Sequence, residues 1–249
     1  MDTSIGGAPL PLALALRQMH EIIVNRFRGK QVSIYEAGGG SASLLPLSSL
    51  DRPKITVVDI DETQLHNNSY ADIKILGDIQ TYAFSPNSFD LVVCYNVIEH
   101  LESPDKAVAH FYNALAPGGL LFIAAPNPES LSGIVTRYTP HWFHVWFYRH
   151  VLRQRNAGRP GEPPFPTVFH RIVFPTALLE FCEKLGLEVV YFKQFEGATY
   201  SRIRETRPIM GGLLGAATGI MNALVFRRRD LRQGDYQVIF QKPSMSVGH

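Results

Sequence analysis

The chain has 249 residues, is 45% hydrophobic and 18% charged, and carries a formal net charge of +2. This is the composition of a globular protein large enough for one substantial core, and it excludes a disordered chain. Cys94 and Cys182 are the only cysteines, so a disulfide framework is not expected and a reducing compartment is.

The apolar patch from Pro9 to Leu16 lacks a basic segment and an Ala-x-Ala pattern. A secretory signal is therefore not expected, and the expected location is the cytoplasm. Residues 10–28 place Leu14, Met19, Ile22, Ile23 and Phe27 at helical spacing before Gly29, which predicts a helix ahead of the first strand. Residues 32–36 form a short apolar run with an acidic end, and Gly38, Gly39 and Gly40 come next. The pattern predicts a buried strand, then a tight turn that opens a helix; without a Cβ, backbone there can approach a ligand.

Further strands are expected at 55–59, 73–76, 89–95 and 120–125, with a helix near 104–115 ended by Pro117-Gly118-Gly119. Such alternation predicts a doubly wound α/β sheet. A helix from Thr176 to Leu185, a strand at 187–192 and a last strand at 235–240 complete the pattern. The final strand pair, joined by a long excursion, predicts a hairpin with one antiparallel strand. Two stretches break the rhythm, 126–174 and 197–234.

Charge is unevenly spread. Up to Ala125 there are 8 Lys and Arg against 13 Asp and Glu; from Pro126 there are 16 against 9. The two halves therefore differ in sign, −5 against +7, and the basic half is expected to meet an anionic substrate or surface. No basic run exceeds Arg227 to Arg229 and no Asn-Pro-Pro-Tyr-type element is present, so nucleic acid is not the expected partner.

Six segments then fall in a telling order: Ile34 to Gly40, Val58 to Asp61, Gly77 to Ile79, Phe89 to Val93, Asn96 to Leu101 and Leu115 to Gly119. On these the chain resembles the class I S-adenosylmethionine-dependent methyltransferases, most closely the small-molecule branch containing the quinone-biosynthesis O-methyltransferases. The resemblance spans residues 32–125, with weaker likeness through 192. It implies a Rossmann-like seven-stranded doubly wound α/β sheet with one antiparallel strand. Length predicts one domain over 1–249, and the insertions 126–174 and 197–234 are expected to meet over the carboxyl ends of the strands as a helical lid.

The resemblance also implies roles. Glu36 and the backbone of Gly38 and Gly40 would hold the methionine end of S-adenosyl-L-methionine. Asp59 would bind the ribose, Ile60 would pack on the adenine, and Asp78 would accept from its amino group. The Ile79 backbone would meet the ring edge, and Asn96 would lie near the methyl. Some relatives bind a divalent metal through Glu-x-x-Glu-His; here Asn96 replaces the first acid ahead of Glu99 and His100, so no metal is expected.

The acceptor side falls in the two interruptions. His100 and His144 are candidate bases, because imidazole titrates near neutral pH. Tyr138, Trp142, Trp146 and Arg171 are candidate acceptor-binding residues. The expected activity is methyl transfer to a small anionic molecule, at oxygen of a carboxylate, hydroxyl or phenol. The alternatives are a membrane-associated methyltransferase of a lipid or quinone precursor, and a non-catalytic S-adenosylmethionine-binding protein. Ile209 to Phe226 holds no charge, with Gly211, Gly215 and Gly219 at four-residue spacing. A single membrane span there is not expected, because the last strand must return to the same sheet. A lid, a homodimer contact and peripheral membrane docking all remain open for it.

Overall fold

A computed structural model describes residues 10–159, 162, 164–224 and 230–244. Arg227 to Arg229 lie outside the described residues. Seven strands, β1 (Ser33–Ala37), β2 (Lys54–Asp59), β3 (Ile73–Leu76), β4 (Phe89–Tyr95), β5 (Leu115–Pro126), β6 (Glu188–Phe195) and β7 (Asp235–Gln241), form one sheet in the order β3-β2-β1-β4-β5-β7-β6. The first five are parallel, while β7 runs antiparallel to both β5 and β6. The seven-stranded α/β sheet with one antiparallel strand is thus present.

The central strands read as continuous apolar runs because both faces are covered. Residues 91–94 of β4 and 118–125 of β5 are buried throughout. One face is covered by α3 (Pro104–Ala114) and α6 (Pro175–Lys184), with Phe111, Leu178 and Cys182 against Val92, Ile123 and Val238. Each of these helices starts on a proline, whose missing N–H costs nothing in the first turn. The other face is covered by α1 (Leu10–Phe27), whose Met19, Ile23 and Phe27 meet Ile34, Leu91 and Phe122. Buried Gln237 of β7 donates from Nε2 to the Ala15 carbonyl at 2.6 Å, tying α1 to the sheet.

Two expectations fail locally. The glycine turn does not open a helix: it leads into irregular chain and a short 3-10 helix, Leu47–Ser49. Pro46 removes a backbone donor and pushes Leu45 toward extended backbone, so a helix cannot propagate there. Leu45 and Leu50 still cover the α1 face of the sheet. The Pro117-Gly118-Gly119 break also lies inside β5 rather than before it. Leu115 already pairs with Phe89, and the register shifts before Leu120 meets Leu91. Gly118 supplies the positive φ of 78° that this irregularity needs.

The two interruptions are helical and touch at their roots. The first holds α4 (Leu131–Tyr138) and α5 (His141–His150); the second holds α7 (Ala198–Thr206) and α8 (Pro208–Leu224). Asn127 N–H donates to the Gly234 carbonyl at 2.7 Å and its Nδ2 to Gln233 O at 2.9 Å, while Leu131 N–H donates to Leu231 O at 2.9 Å. A short helix α2 (Glu62–Asn67) between β2 and β3, capped by Asp61 accepting from Thr63 and Gln64, completes the fold.

Candidate functional site

In an open parallel sheet the ligand crevice lies beyond the carboxyl ends of the strands. The ends of β1, β2 and β4 meet there around the glycine turn. Gly38 has φ of 68°, and a Cβ built on it would lie 2.6 Å from Val97 Cγ2. Only glycine allows both that conformation and that approach. Gly40 has φ of 52°, but an added Cβ there would meet nothing closer than 3.5 Å. The turn is therefore tightly packed at Gly38 and only in ordinary contact, with Gln64 and Asp59, at Gly40.

Glu36, the acidic end of β1, is buried. Its Oε1 accepts from the Ser43 hydroxyl and its Oε2 from the Tyr70 hydroxyl at 2.5 Å. Burial pushes its carboxyl above the usual range, and these two hydrogen bonds pull it back. The Tyr70 hydroxyl also lies 3.0 Å from the Gly39 carbonyl, so one side chain braces both the acid and the turn.

Asp59 ends β2 and is already oriented by backbone. Its Oδ2 accepts from Gly40 N–H at 2.9 Å and its Oδ1 from Asp61 N–H at 2.8 Å. Each oxygen keeps a second lone pair. Next to it Ile60 is 76% exposed, an apolar side chain at a strand end with nothing over it. Asn68, buried, donates to the Gly40 carbonyl at 2.6 Å and so fixes the far side of the turn.

Asp78 follows β3 after Gly77. Its Oδ1 accepts from Gln80 N–H at 2.9 Å, and Gln80 Nε2 reaches both oxygens at 3.1 Å. Gln80 Oε1 in turn accepts from Ser103 N–H at 2.6 Å, linking the β3 end to the start of α3. The Ile79 side chain is buried, leaving its backbone as the part that can meet a ligand. Asn96, directly after β4, is exposed and left-handed with φ of 53°, while its N–H donates to Ala124 O at 2.9 Å. Non-glycine residues in that region are uncommon and cluster at working sites.

Glu99 and His100 lie next along the chain in a 3-10 turn, Ile98–His100. Glu99 is buried, its Oε2 has no hydrogen-bond partner among the described residues, and its Oε1 lies 3.6 Å from His100 Nε2. Burial pushes this carboxyl up to about 8. His100 Nδ1–H donates to the Pro166 carbonyl at 2.7 Å, which leaves the lone pair on Nε2 of the neutral ring. Burial holds the imidazole below its usual range, with the Pro166 bond opposing. Because Val168 N–H donates to Glu99 O at 2.8 Å, the first interruption is anchored to this turn.

The side chains of the remaining candidates make no hydrogen bond to that cluster among the described residues. His144 Nε2 lies 3.0 Å from Thr139 Oγ1 and 3.2 Å from Thr139 O, so it braces the α4–α5 turn. Trp142 is 69% exposed, and Trp146 and Tyr138 are exposed too. Phe143 stacks on Trp146 and Phe147 within α5. His141, Trp142, Val145, Trp146, Arg149 and His150 line a surface groove of about 470 Å³, with Arg149 Nε committed to Ala157 O at 2.8 Å. Arg171 is exposed at the head of a 3-10 turn, Arg171–Val173.

Ser43, Tyr70, Asn68 and Gln80 were not anticipated. Ser43 carried a usable signal: a buried carboxylate at 36 needs nearby donors, and hydroxyls come soon after the glycines. Tyr70 sits 34 residues from Glu36, beyond any local pattern.

A family profile described as "Methyltransferase domain" matches residues 35–123. A ubiquinone biosynthesis O-methyltransferase from Neisseria meningitidis serogroup C is 24% identical over 198 residues, covering 72% of this chain and 71% of that protein. Among solved structures, an S-adenosylmethionine-dependent methyltransferase from Mesorhizobium loti superposes with a TM-score of 0.57 at 16% identity, over 95% of this chain and 99% of that one. The [4+2]-cyclase SpnF superposes with a TM-score of 0.58 at 15% identity, over 96% and 85% respectively. The chain shares its fold with these two solved structures.

Proposed function

The chain belongs to the class I S-adenosylmethionine-dependent methyltransferase family, and from that premise we propose that it methylates an oxygen of a small molecule, using His100 as base. The observation that carries this reading is the cradle at the strand ends. The Asp59 carboxylate, pinned by Gly40 and Asp61 N–H groups, stands beside uncovered Ile60 and the glycine turn. We assign the ribose to Asp59, the adenine face to Ile60 and the adenine amino group to Asp78. The methionine ammonium goes to buried Glu36, whose desolvated carboxylate gains most from a cation. The residues present fit the cofactor in their chemistry: the carboxylates of Glu36, Asp59 and Asp78 would accept from its amine and hydroxyl donors, and uncovered Ile60 would meet its ring.

S-adenosylmethionine supplies a methyl already activated on a sulfonium. The chain's part is then positioning, exclusion of water and removal of one proton. His100 suits the last task. With Nδ1–H given to Pro166, its Nε2 carries the lone pair, and burial favours the neutral ring. The acceptor's hydroxyl proton goes to Nε2 as its oxygen takes the methyl. His144, tied to Thr139, is the weaker candidate for base. The lid over this site is assigned to residues 126–174 and 197–234, supported by the shared hydrogen bonds at their roots. Tyr138, Trp142, Trp146 and Arg171 are assigned to the acceptor.

A second reading, a quinone-precursor or lipid acceptor, is favoured by the tryptophans exposed on α5 and by the name of the Neisseria relative. The test is a panel of catechol, phenol, carboxylate and amine acceptors, scored by S-adenosylhomocysteine release and by product mass. Methylation of an oxygen acceptor, lost in His100→Ala with cofactor affinity kept, is the expected result. Transfer to amines alone would overturn the O-methyl assignment. Cofactor binding without any turnover would favour a non-catalytic or cyclase-like role.

A further inference from the structure

Helix α8 is built inside out. Its 17 residues contain no charge, and on a helix of this composition the apolar stripe ordinarily turns inward. Here the inward face carries Gly211, Gly215, Thr218 and Asn222, with Met210 and Leu214 as half-buried apolar side chains beside them. Gly211 abuts the α7 backbone at Arg204, and Gly215 faces the Tyr200 hydroxyl. Thr218 is fully buried, its hydroxyl donating to Leu214 O at 2.8 Å. Asn222 Nδ2 donates to Asp230 Oδ1 at 2.9 Å, and its Oδ1 accepts from Leu231 N–H at 3.0 Å. The outward face carries Ile209, Leu213 and Ile220, 82%, 68% and 63% exposed, with exposed Ala216 and Met221 among them. The spacing 209, 213, 216, 220 is one continuous stripe along about 17 Å of helix.

The charge around this stripe is one-sided. Residues 197–234 hold seven arginines and two acids, Glu205 and Asp230. Arg202, Arg204 and Arg207 precede the helix, and Arg227 to Arg229 come after it in sequence. Arg204 pairs with Glu196 and Arg232 with Asp230. Arg202 and Arg207 carry no ion pair among the described residues.

We propose that α8 docks the enzyme flat on an anionic lipid surface, its outward stripe entering the acyl boundary and its flanking arginines meeting the headgroups. An uncharged apolar face between cationic ends is the arrangement such a surface rewards. Spanning does not fit: no helix among the described residues is long and apolar enough to cross a membrane. The chain must also return to β7, between β5 and β6. A second copy is the weaker occupant, because the arginines would face their own kind across a twofold contact. The proposal holds whatever the methyl acceptor is.

The test is flotation of the full-length protein with phosphatidylcholine vesicles, with and without 30–40% phosphatidylglycerol (roughly physiological anionic content). Binding to the anionic vesicles, weakened by salt, is expected. Leu213→Glu with Ile220→Glu should reduce it at least about tenfold, while S-adenosylmethionine affinity, measured alongside to show folding, stays unchanged. Both tryptophans of the chain, Trp142 and Trp146, lie on α5, so their emission reports whether that helix enters as well. Failure of the folded protein to float would overturn the proposal, as would binding indifferent to the double substitution. A dimer in solution dispersed by the same two substitutions would assign the face to a second copy instead.

Discussion

The carboxylates at the ends of β1 and β2 are paired within the chain, whereas several large apolar side chains of 126–174 and 197–234, Trp142, Trp146, Ile209 and Leu213 among them, face outward. Glu36 is closed in by Ser43 and Tyr70, and Asp59 by two backbone N–H groups. Trp142 and Ile209, by contrast, lie on the surface. The first region is finished by the sheet itself. The second leaves apolar area uncovered, which the acceptor and the lipid surface proposed above would cover. Rigid preparation on one side and open apolar area on the other is what an enzyme with one constant cofactor and one particular acceptor needs.

The comparison breaks most sharply at Gly38. Gly38→Ala should cost about 2–4 kcal/mol, combining left-handed strain with overpacking against Val97. Urea unfolding should show it, and adding Val97→Ala should recover the packing part only. A neutral Gly38→Ala would mean that the turn is not held as described.

Glu99 sharpens the contrast through pH. Its carboxyl rises from about 4.5 to about 8 by burial, so the folded chain holds that proton over a range where the unfolded chain has lost it. Stability from this group is full below about pH 4.5 and is lost as pH rises through about 8. Glu99→Gln should therefore gain on the wild type by on the order of a few kcal/mol between pH 5 and pH 9. Thermal melts across that range would show it, and a gap independent of pH would contradict the burial argument.

In the outward region, Trp142→Ala with Trp146→Ala should lower kcat/KM by about tenfold, roughly the value of one or two lost aromatic contacts. The fold should be kept, since neither side chain is part of the core. Unchanged kcat/KM would remove α5 from the acceptor site. The smallest effect is expected of EDTA. Asn96 stands where an acid would be needed, and Glu99 and His100 alone make a poor site for a hard cation. Loss of turnover in EDTA, restored by magnesium or zinc, would reverse that assignment.

Legibility in the sequence divides along the same line. β4 and the second half of β5 were legible because strands covered on both faces are apolar throughout. The acidic ends of β1 and β2 were legible because each closes such a run. The missing helix after Gly40 was masked by the expectation attached to a glycine turn, although Pro46 argued against it. Tyr70 was invisible because its partner is distant in sequence. The outward face of α8 was beyond reach for another reason. Periodicity tells that a helix has a small face and an apolar face, but not which one a neighbouring helix will choose.

The central claim is that the β1 and β2 ends hold the cofactor independently of the outward helices. Calorimetric titration of S-adenosylmethionine into the wild type, Asp59→Ala and the Trp142→Ala, Trp146→Ala pair tests it directly. Two charge-assisted hydrogen bonds, each about 1.5–3 kcal/mol, are at stake at Asp59. Its loss should weaken binding at least about tenfold, while the tryptophan pair should bind as the wild type does. Unchanged affinity in a folded Asp59→Ala, or a comparable loss in the tryptophan pair, would contradict the account.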